Sequence, residues 1–447
     1  MPASPSTARA INDRLALRLL QERGPLTAGQ LKTLTGLSRP TVADLVERLQ
    51  GSGLIHVVGE AGAERRGPNA RLYGIVADRA HLAALDVRLQ SVSVVVTDLL
   101  GSTLAEASLP MGTDTMGTDT MSGGHMADGS MGGRHMDDGP TGGGHPGRGS
   151  TTGADTMGRG TMSGGAERHR DHTTGSAVER AVALLERTVR RAGAGRLHTV
   201  GIGAPGLIDP ATGELRDSAG LPAWHRRLVT ALQERLPATV LVENETNLAA
   251  VAEQRVGAAR GHDDFVLLWL GHGVGAAVVL DGRLRRGASG GAGEIGFLPV
   301  PGTGGLPSAT DCGGGFHALA GSVAIRALAA NYGVEVPDEG REPAGAVATR
   351  IAVSTGADVF LDALADRIAL GAAAVSAVLD PGRLVLGGEL GHAGGPELAA
   401  RVEPRLAALS PLRTEVRASE LGGAAVLRGA LLTARDAAQD DLFAPPP

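Results

Sequence analysis

A chain of 447 residues is long enough for two or three domains, and its 42% hydrophobic content is enough for a core in each. A single cysteine, Cys312, excludes a disulfide framework and a multi-cysteine metal site, and the longest strongly apolar run, Phe265–Leu270, is far too short to cross a bilayer. The net charge of −6 is uneven: residues 1–80 carry 11 Lys and Arg against 7 Asp and Glu, so a basic end sits on an acidic body, which fits nucleic-acid contact at one end only.

The N-terminus lacks an apolar signal core, so the sequence points to a soluble, cytoplasmic protein without a membrane partner. Ile11, Leu15 and Leu19, with Ala16 and Leu20, recur at i, i+4 and i+8 and predict an amphipathic helix that Gly24-Pro25 ends. Thr27-Ala28-Gly29-Gln30 reads as a capping box that opens a second helix through Leu31 and Leu34. After a turn at Gly36, Ser38 caps a third helix whose buried face is Val42, Leu45, Val46 and Leu49. Residues 54–58 and 71–76 read as paired strands around a charged, Gly-rich tip at 59–68.

This order of elements, assigned to residues 1–78, resembles a winged helix-turn-helix, in which the third helix enters the major groove with its N-terminal residues leading. The candidate DNA contacts are Thr27, Ser38, Arg39, Pro40, Thr41 and Asp44, with Arg65 and Arg66 at the wing tip. Arg39 can read guanine or grip phosphate, and Thr41 suits a phosphate oxygen or a thymine methyl. A three-helix protein-interaction module with solvated arginines is the competing reading.

Residues 111–175 differ from their surroundings. Met111, Met116, Met121, Met126, Met131 and Met136 recur every five residues, and His125, His135 and His145 every ten. With almost no large apolar residue between them, the segment cannot offset its ordering entropy and is expected to be a disordered, Gly/Met/His-rich insert. Tandem expansion of the coding sequence explains the repeat; a metal-binding tract is the alternative. Residues 437–447 are expected to form a disordered tail.

Residues 79–110 and 176–436 read as one α/β domain around that insert. Residues 84–99 predict a hairpin, 177–192 a helix, and 199–203 a strand that runs into Ala204-Pro205-Gly206. A second hairpin, 266–270 with 276–280, turns through Gly271-His272-Gly273, and Val385-Leu386 precedes Gly387-Gly388. Two hairpin-led halves imply two lobes with a cleft between them. In 241–253 (LVENETNLAAVAE), Asn244, Glu245, Thr246 and Asn247 lie where a strand meets a helix N-terminus. Such side chains present donors and acceptors in a fixed fan to a small polyol, or they simply cap the helix.

Four motifs occur in order: GIGAPGLIDPAT at 201–212, VENETNLAAVAE at 242–253, GGAGEIG at 290–296 and DPGRLVLGG at 380–388. Together they resemble the ROK family (repressors, open reading frames, kinases) over nearly the whole chain outside the insert, and the winged helix resembles its repressor branch. The resemblance implies a two-lobed, actin-like and ribonuclease H-like α/β domain. It implies sugar contacts from Asn244, Glu245 and Glu294, with backbone help from Gly203, Pro205 and Gly206. His317 is either a substitute ligand contact or a loop residue facing solvent.

The kinases of the family imply a further comparison. Their first phosphate loop, Asp-x-Gly-Gly-Thr, is here Asp86-Val87-Arg88-Leu89-Gln90, and the threonine of their second is His272. Glu245 stands where they carry an aspartate general base; one extra methylene shifts a carboxylate by about 1 Å, which can cost about a hundredfold in rate. Of the family's four zinc ligands only Cys312 is present, with Phe297, Thr310 and Phe316 at the other positions and the two phenylalanines expected to pack together. The expectation is therefore a transcriptional regulator, a repressor and not an enzyme, without cofactor or metal. Its partners would be a double-stranded DNA operator, a sugar or sugar-derivative effector, and further copies of itself in a homodimer or homotetramer. A hexose kinase using ATP with Glu245 as base, and a dimerising scaffold without ligand, are the alternatives.

Overall fold

The computed structural model describes residues 5–61, 70–111, 163–216, 223–308, 312–337 and 342–444. Its first unit is set out by its helix caps. α1 (Pro5–Arg23) leads to β1 (Leu26–Thr27), and Thr27 closes a capping box with Gln30 at the start of α2 (Ala28–Thr35). Ser38 caps α3 (Arg39–Gly51), whose Val42, Leu45, Val46 and Leu49 are buried. β2 (Ile55–Glu60) and β3 (Arg71–Ile75) form the wing, and β1 pairs with β3 to complete a three-stranded sheet.

The buried face of α1 is only partly the expected one. Ala16 and Leu20 are inside as expected, joined by Leu17, but the stripe is rotated: Ile11 is 58% and Leu15 40% exposed. The face turns because α1 packs against more than its own domain: Leu82, Leu99, Ala438 and Phe443 share its core.

The first lobe contains β4 (His81–Val87), β5 (Ser91–Asp98) and β6 (Thr103–Pro110), then α4 (Ser163–Arg191) and β7 (Leu197–Ala204). α5 (Ala223–Arg235), β8 (Thr239–Asn244) and α6 (Glu245–Val256) follow. The sheet order is β6-β5-β4-β7-β8, antiparallel through β6, β5 and β4 and parallel from β4 to β8. Alternation along β4 sends Ala83, Leu85 and Val87 toward α4 and α5, and Ala84 toward α6.

The second lobe opens with β9 (Phe265–Leu270), β10 (Val274–Leu280) and β11 (Arg283–Arg285). The short helix α7 (His317–Ala320) precedes α8 (Ser322–Asn331), α9 (Ala344–Thr355) and α10 (Asp358–Leu379). β12 (Arg383–Gly387), α11 (Gly388–Leu409) and β13 (Glu415–Ala418) complete it, and α12 (Ala425–Leu442) returns to pack on β4 and β7 of the first lobe. The second lobe's sheet order, β11-β10-β9-β12-β13, repeats that of the first lobe, with the same antiparallel-then-parallel sense. α6 and α12 pack between the two sheets, and a side chain at Gly429 would run into the Leu248 carbonyl, so the helices meet backbone to backbone. Among the described residues no helix is long and apolar enough to cross a membrane.

Two expected boundaries move. Met111 is 5% exposed in the first lobe's core, where its apolar side chain has partners, and α4 begins at Ser163, inside the stretch expected to be disordered. Residues 112–162 lie outside the described residues. The expected tail is also shortened: α12 runs to Leu442, with Ala438, Gln439 and Phe443 buried, and 445–447 lie outside the described residues. Phe297 and Phe316 do not pair as expected, since Phe316 is fully buried against Gly371 while Phe297 is 38% exposed. Thr310 is not among the described residues. One thiol with two phenyl rings is no donor set for zinc, and among the described residues no group of three or more metal-ligating side chains converges.

Candidate functional site

The candidate ligand contacts gather at the junction of β8 and α6. Asn244 caps α6: its Oδ1 accepts Thr246 N at 2.8 Å, while its Nδ2 donates to Gly206 O at 2.8 Å. Both ends of the amide are thus committed to tying the 204–206 loop to the helix. Beside it lies a network that the sequence reading missed. Glu243, 8% exposed, accepts Asn247 Nδ2 at 2.9 Å and Asn244 N at 3.0 Å, and ion-pairs Arg286 at 2.6 Å. Glu243 lies in β8, just before the cap of α6, so no helical spacing in the sequence announces its bond to Asn247.

Glu245 is the acid of this motif left for other chemistry. Its carboxyl makes no hydrogen bond to a described residue, and its pKa is pushed up to about 8 by burial first, then by the negative charges of Asp86 and Glu389, against an opposing Arg88. At pH 7 roughly a tenth is ionised, so Glu245 is chiefly a carboxylic acid that both donates and accepts. That suits a sugar hydroxyl, which does the same. Glu294, at the turn before Ile295, is open to solvent on one side, and packing on the other raises its pKa.

The remaining sequence candidates separate into partly exposed residues and enclosed ones. Pro205 and Gly206 are half-buried beside Asn244, Gly206 with φ +105°. Gly203 is fully enclosed, and a side chain there would run into Val426, so it is a packing residue, contrary to expectation. His317 is half-buried in the short helix α7, with its ring Cε1 4.0 Å from where a Cβ on Gly273 would lie.

Arg88 changes the character of the first strand-end turn. Its Nε donates to Asp86 Oδ2 at 2.8 Å, its Nη1 to Glu389 Oε1 at 2.7 Å and its Nη2 to Gly423 O at 3.2 Å. Asp86 is 4% exposed, its Oδ1 has no partner among the described residues, and burial raises its pKa. His225, whose pKa burial lowers to about 4, is neutral and donates Nε2 to Arg88 O at 3.3 Å. A separate cavity of about 510 Å³, walled in part by Ile208, Gln233, Glu243, Arg286 and Thr433, contains none of the expected ligand contacts.

On the winged helix, Ser38, Arg39 and Pro40 are exposed and Thr41 is half-buried at the start of α3. The Ser38 hydroxyl lies 2.7 Å from that of Thr41. Two expectations change. Thr27 is 9% exposed and spends its hydroxyl on Gln30, so it positions α2 and does not face outward. Asp44 stays exposed but ion-pairs Arg48 one turn on within α3, and it is Arg48 that reaches α1 through Asp13 at 2.6 Å, so the Asp44 carboxylate already has a partner. Arg65 and Arg66 lie outside the described residues.

Residues 161–437 match the ROK family. The chain belongs to the ROK family. Residues 11–66 match the MarR family, in keeping with the winged helix. Among ROK relatives, the chain is 40% identical to the glucokinase of Thermotoga maritima over 130 residues, 28% of this chain and 40% of that one. It is 22% identical to the DNA-binding transcriptional dual regulator NagC of Escherichia coli over 294 residues, 65% of this chain and 58% of that one. The chain thus spans less than two thirds of either relative. A ROK family transcriptional regulator, homolog of the E. coli MLC protein, shares the fold with a TM-score of 0.67 at 20% identity, over 98% of both chains.

Proposed function

We propose that this protein is a sequence-specific DNA-binding transcriptional regulator, a repressor, whose ROK domain takes a sugar or sugar derivative as effector. It acts in the cytoplasm as a homodimer or homotetramer. The observation that carries this reading is the path of α12. Its start adjoins the Gly423 turn held by Arg88, and its end shares the core of the winged helix through Ala438 and Phe443. A ligand that changes lobe closure therefore moves a helix on which the DNA-reading unit rests. Such a shift requires different effector affinity in the two arrangements.

Fluorescence anisotropy on DNA from upstream of the protein's own gene, against scrambled DNA near physiological salt, tests the reading. Preference for the upstream fragment, altered by a sugar, is expected. Equal binding to both fragments, with no sugar effect on either, would sink it. Replacing both Arg39 and Thr41 by alanine should cut operator preference by about a hundredfold, since each base-edge contact contributes about 1–3 kcal/mol, while sugar binding is kept.

The stretch 40% identical to a glucokinase favours a second reading, a hexose kinase. Against it stand Arg88 and Leu89 in the turn after β4 and a chiefly protonated Glu245, which is poorly prepared to take a proton from a sugar hydroxyl. ATP turnover with glucose, lost in Glu245→Gln, would decide for the kinase.

A further inference from the structure

Bare N–H groups at a glycine turn and at a helix N-terminus attract phosphate. The Gly271–Gly273 turn and the start of α11 offer both, yet a carboxylate of this chain already lies there. Glu389, the second residue of α11, presses on Gly271 so closely that a side chain at that glycine would collide with it. The same carboxylate accepts Arg88 Nη1 at 2.7 Å from a position 301 residues away in the sequence. Arg88 is aimed by Asp86 on one side and by the Gly423 carbonyl on the other. One guanidinium thus connects the first turn of lobe one, the N-terminus of α11 in lobe two and the turn that opens α12.

We infer that Arg88 and Glu389 form a strap across the cleft that keeps nucleotide phosphates out and fixes the closure of the two lobes. A triphosphate entering this end must separate Arg88 from Glu389 and then face the carboxylates of both Glu389 and Asp86. The pair is partly shielded, each side chain being 26% exposed, and is charge-assisted, so it is stronger than an ion pair in open water. Lobe closure is held in the free protein by side chains, with no need of a bound nucleotide. The strap deepens the effector-site reading, because it sets the resting state from which a sugar would move the lobes.

The test uses the full chain with Cys312→Ser and nitroxide labels on cysteines placed at Arg190 and Val359, each 68% exposed and one on each lobe. Pulsed dipolar spectroscopy without DNA or sugar should give one narrow distance, and Glu389→Gln should lengthen and broaden it. Arg88→Met, which keeps the apolar stem, should do the same. An unchanged distance in the near-isosteric Glu389→Gln overturns the closure role by itself, even if Arg88→Met fails to fold. For the exclusion role, a trinitrophenyl-ATP probe should bind Arg88→Gly/Leu89→Gly at least tenfold more tightly than the unsubstituted chain, and equal affinity overturns it. Neither readout involves operator or sugar, so a chain that ignored both could still carry the strap, and a true regulator could still lack it.

Discussion

The two lobes share a sheet order and a strand sense but treat their strand-end turns in opposite ways. In lobe two the turns keep bare backbone, with Gly271–Gly273 after β9 and Gly387-Gly388 after β12. In lobe one the turn after β4 carries Arg88, Leu89 and Gln90, and its polar work is done by side chains. The shared sheet shows that the fold tolerates either solution. What differs is how each turn is filled: the glycine turn of lobe two leaves room for the Glu389 carboxylate against Gly271, whereas the turn of lobe one supplies the Arg88 guanidinium that pairs with it. The two turns thus hold the two halves of one ion pair, glycine backbone making room for it on one side and a side chain supplying it on the other.

The contrast breaks most sharply under substitution at the glycines. Gly388 has φ +75°, and a side chain there would strike the Leu270 carbonyl, so Gly388→Val should cost about 3 kcal/mol or more in urea denaturation. Leu89→Gly in the corresponding turn of lobe one should cost about 1 kcal/mol, because that residue is only half-buried and its turn does not need a left-handed backbone. Equal losses would mean that the two turns are mechanically alike and that the contrast is superficial.

A second prediction concerns the seam between the lobes. Glu253 is fully buried and accepts Ser419 Oγ at 2.5 Å, Leu421 N at 3.1 Å and Ala258 N at 2.7 Å. Glu253→Ala leaves those buried donors unsatisfied and should cost about 3 kcal/mol, with the second lobe losing amide protection at 419–421 first. A loss confined to α6 would place the effect inside one lobe and deny Glu253 a bridging role.

Glu245 gives a pH-dependent test. Its folded pKa of about 8 lies above the unfolded value of 4.5, so the native state holds a proton that the unfolded chain releases. Stability from this group is full below pH 4.5, falls as pH rises between 4.5 and 8, and is lowest above 8. Glu245→Gln should flatten that fall, gaining about 2 kcal/mol on the wild type between pH 5 and 8, less than the whole shift because solvent reaches the carboxyl. Parallel melting profiles for the two proteins would show that Asp86, Arg88 and Glu389 leave Glu245 an ordinary carboxylate.

Much of this was readable in the sequence wherever cause and effect are close along the chain. Thr27 and Ser38 cap their helices as their positions predict, the paired strands lie where the β-branched runs do, and β8 gives way to α6 at Asn244 as the motif implies. What was hidden depends on residues far apart. Arg88 reads as a damaged phosphate loop until Glu389 is beside it, and nothing in the 241–253 motif announces that Glu253 is met by Ser419, 166 residues on. Ile11 and Leu15 fit a helical stripe, but the extra partners Ala438 and Phe443 turned α1 about its axis. Met111 continued a repeat by its spacing and a core by its contacts.

The smallest effect separates capping from tying where β8 meets α6. In lobe one α6 begins with a side-chain cap, whereas α11 in lobe two begins at Gly387 with none. Asn244 also donates to Gly206 O, so its two roles must be removed one at a time. Asn244→Asp keeps the acceptor for Thr246 N and adds charge that the helix N-terminus favours, but it removes the donor to Gly206. The melting temperature should then change by less than about 1 kcal/mol equivalent, while hydrogen exchange quickens through Pro205–Leu207's neighbourhood at Gly206. Asn244→Ala loses both roles and should cost about 1 kcal/mol more. If the aspartate variant protects Gly206 as well as the wild type does, the cap alone shapes this junction, and the two lobes differ there only in how a helix is started.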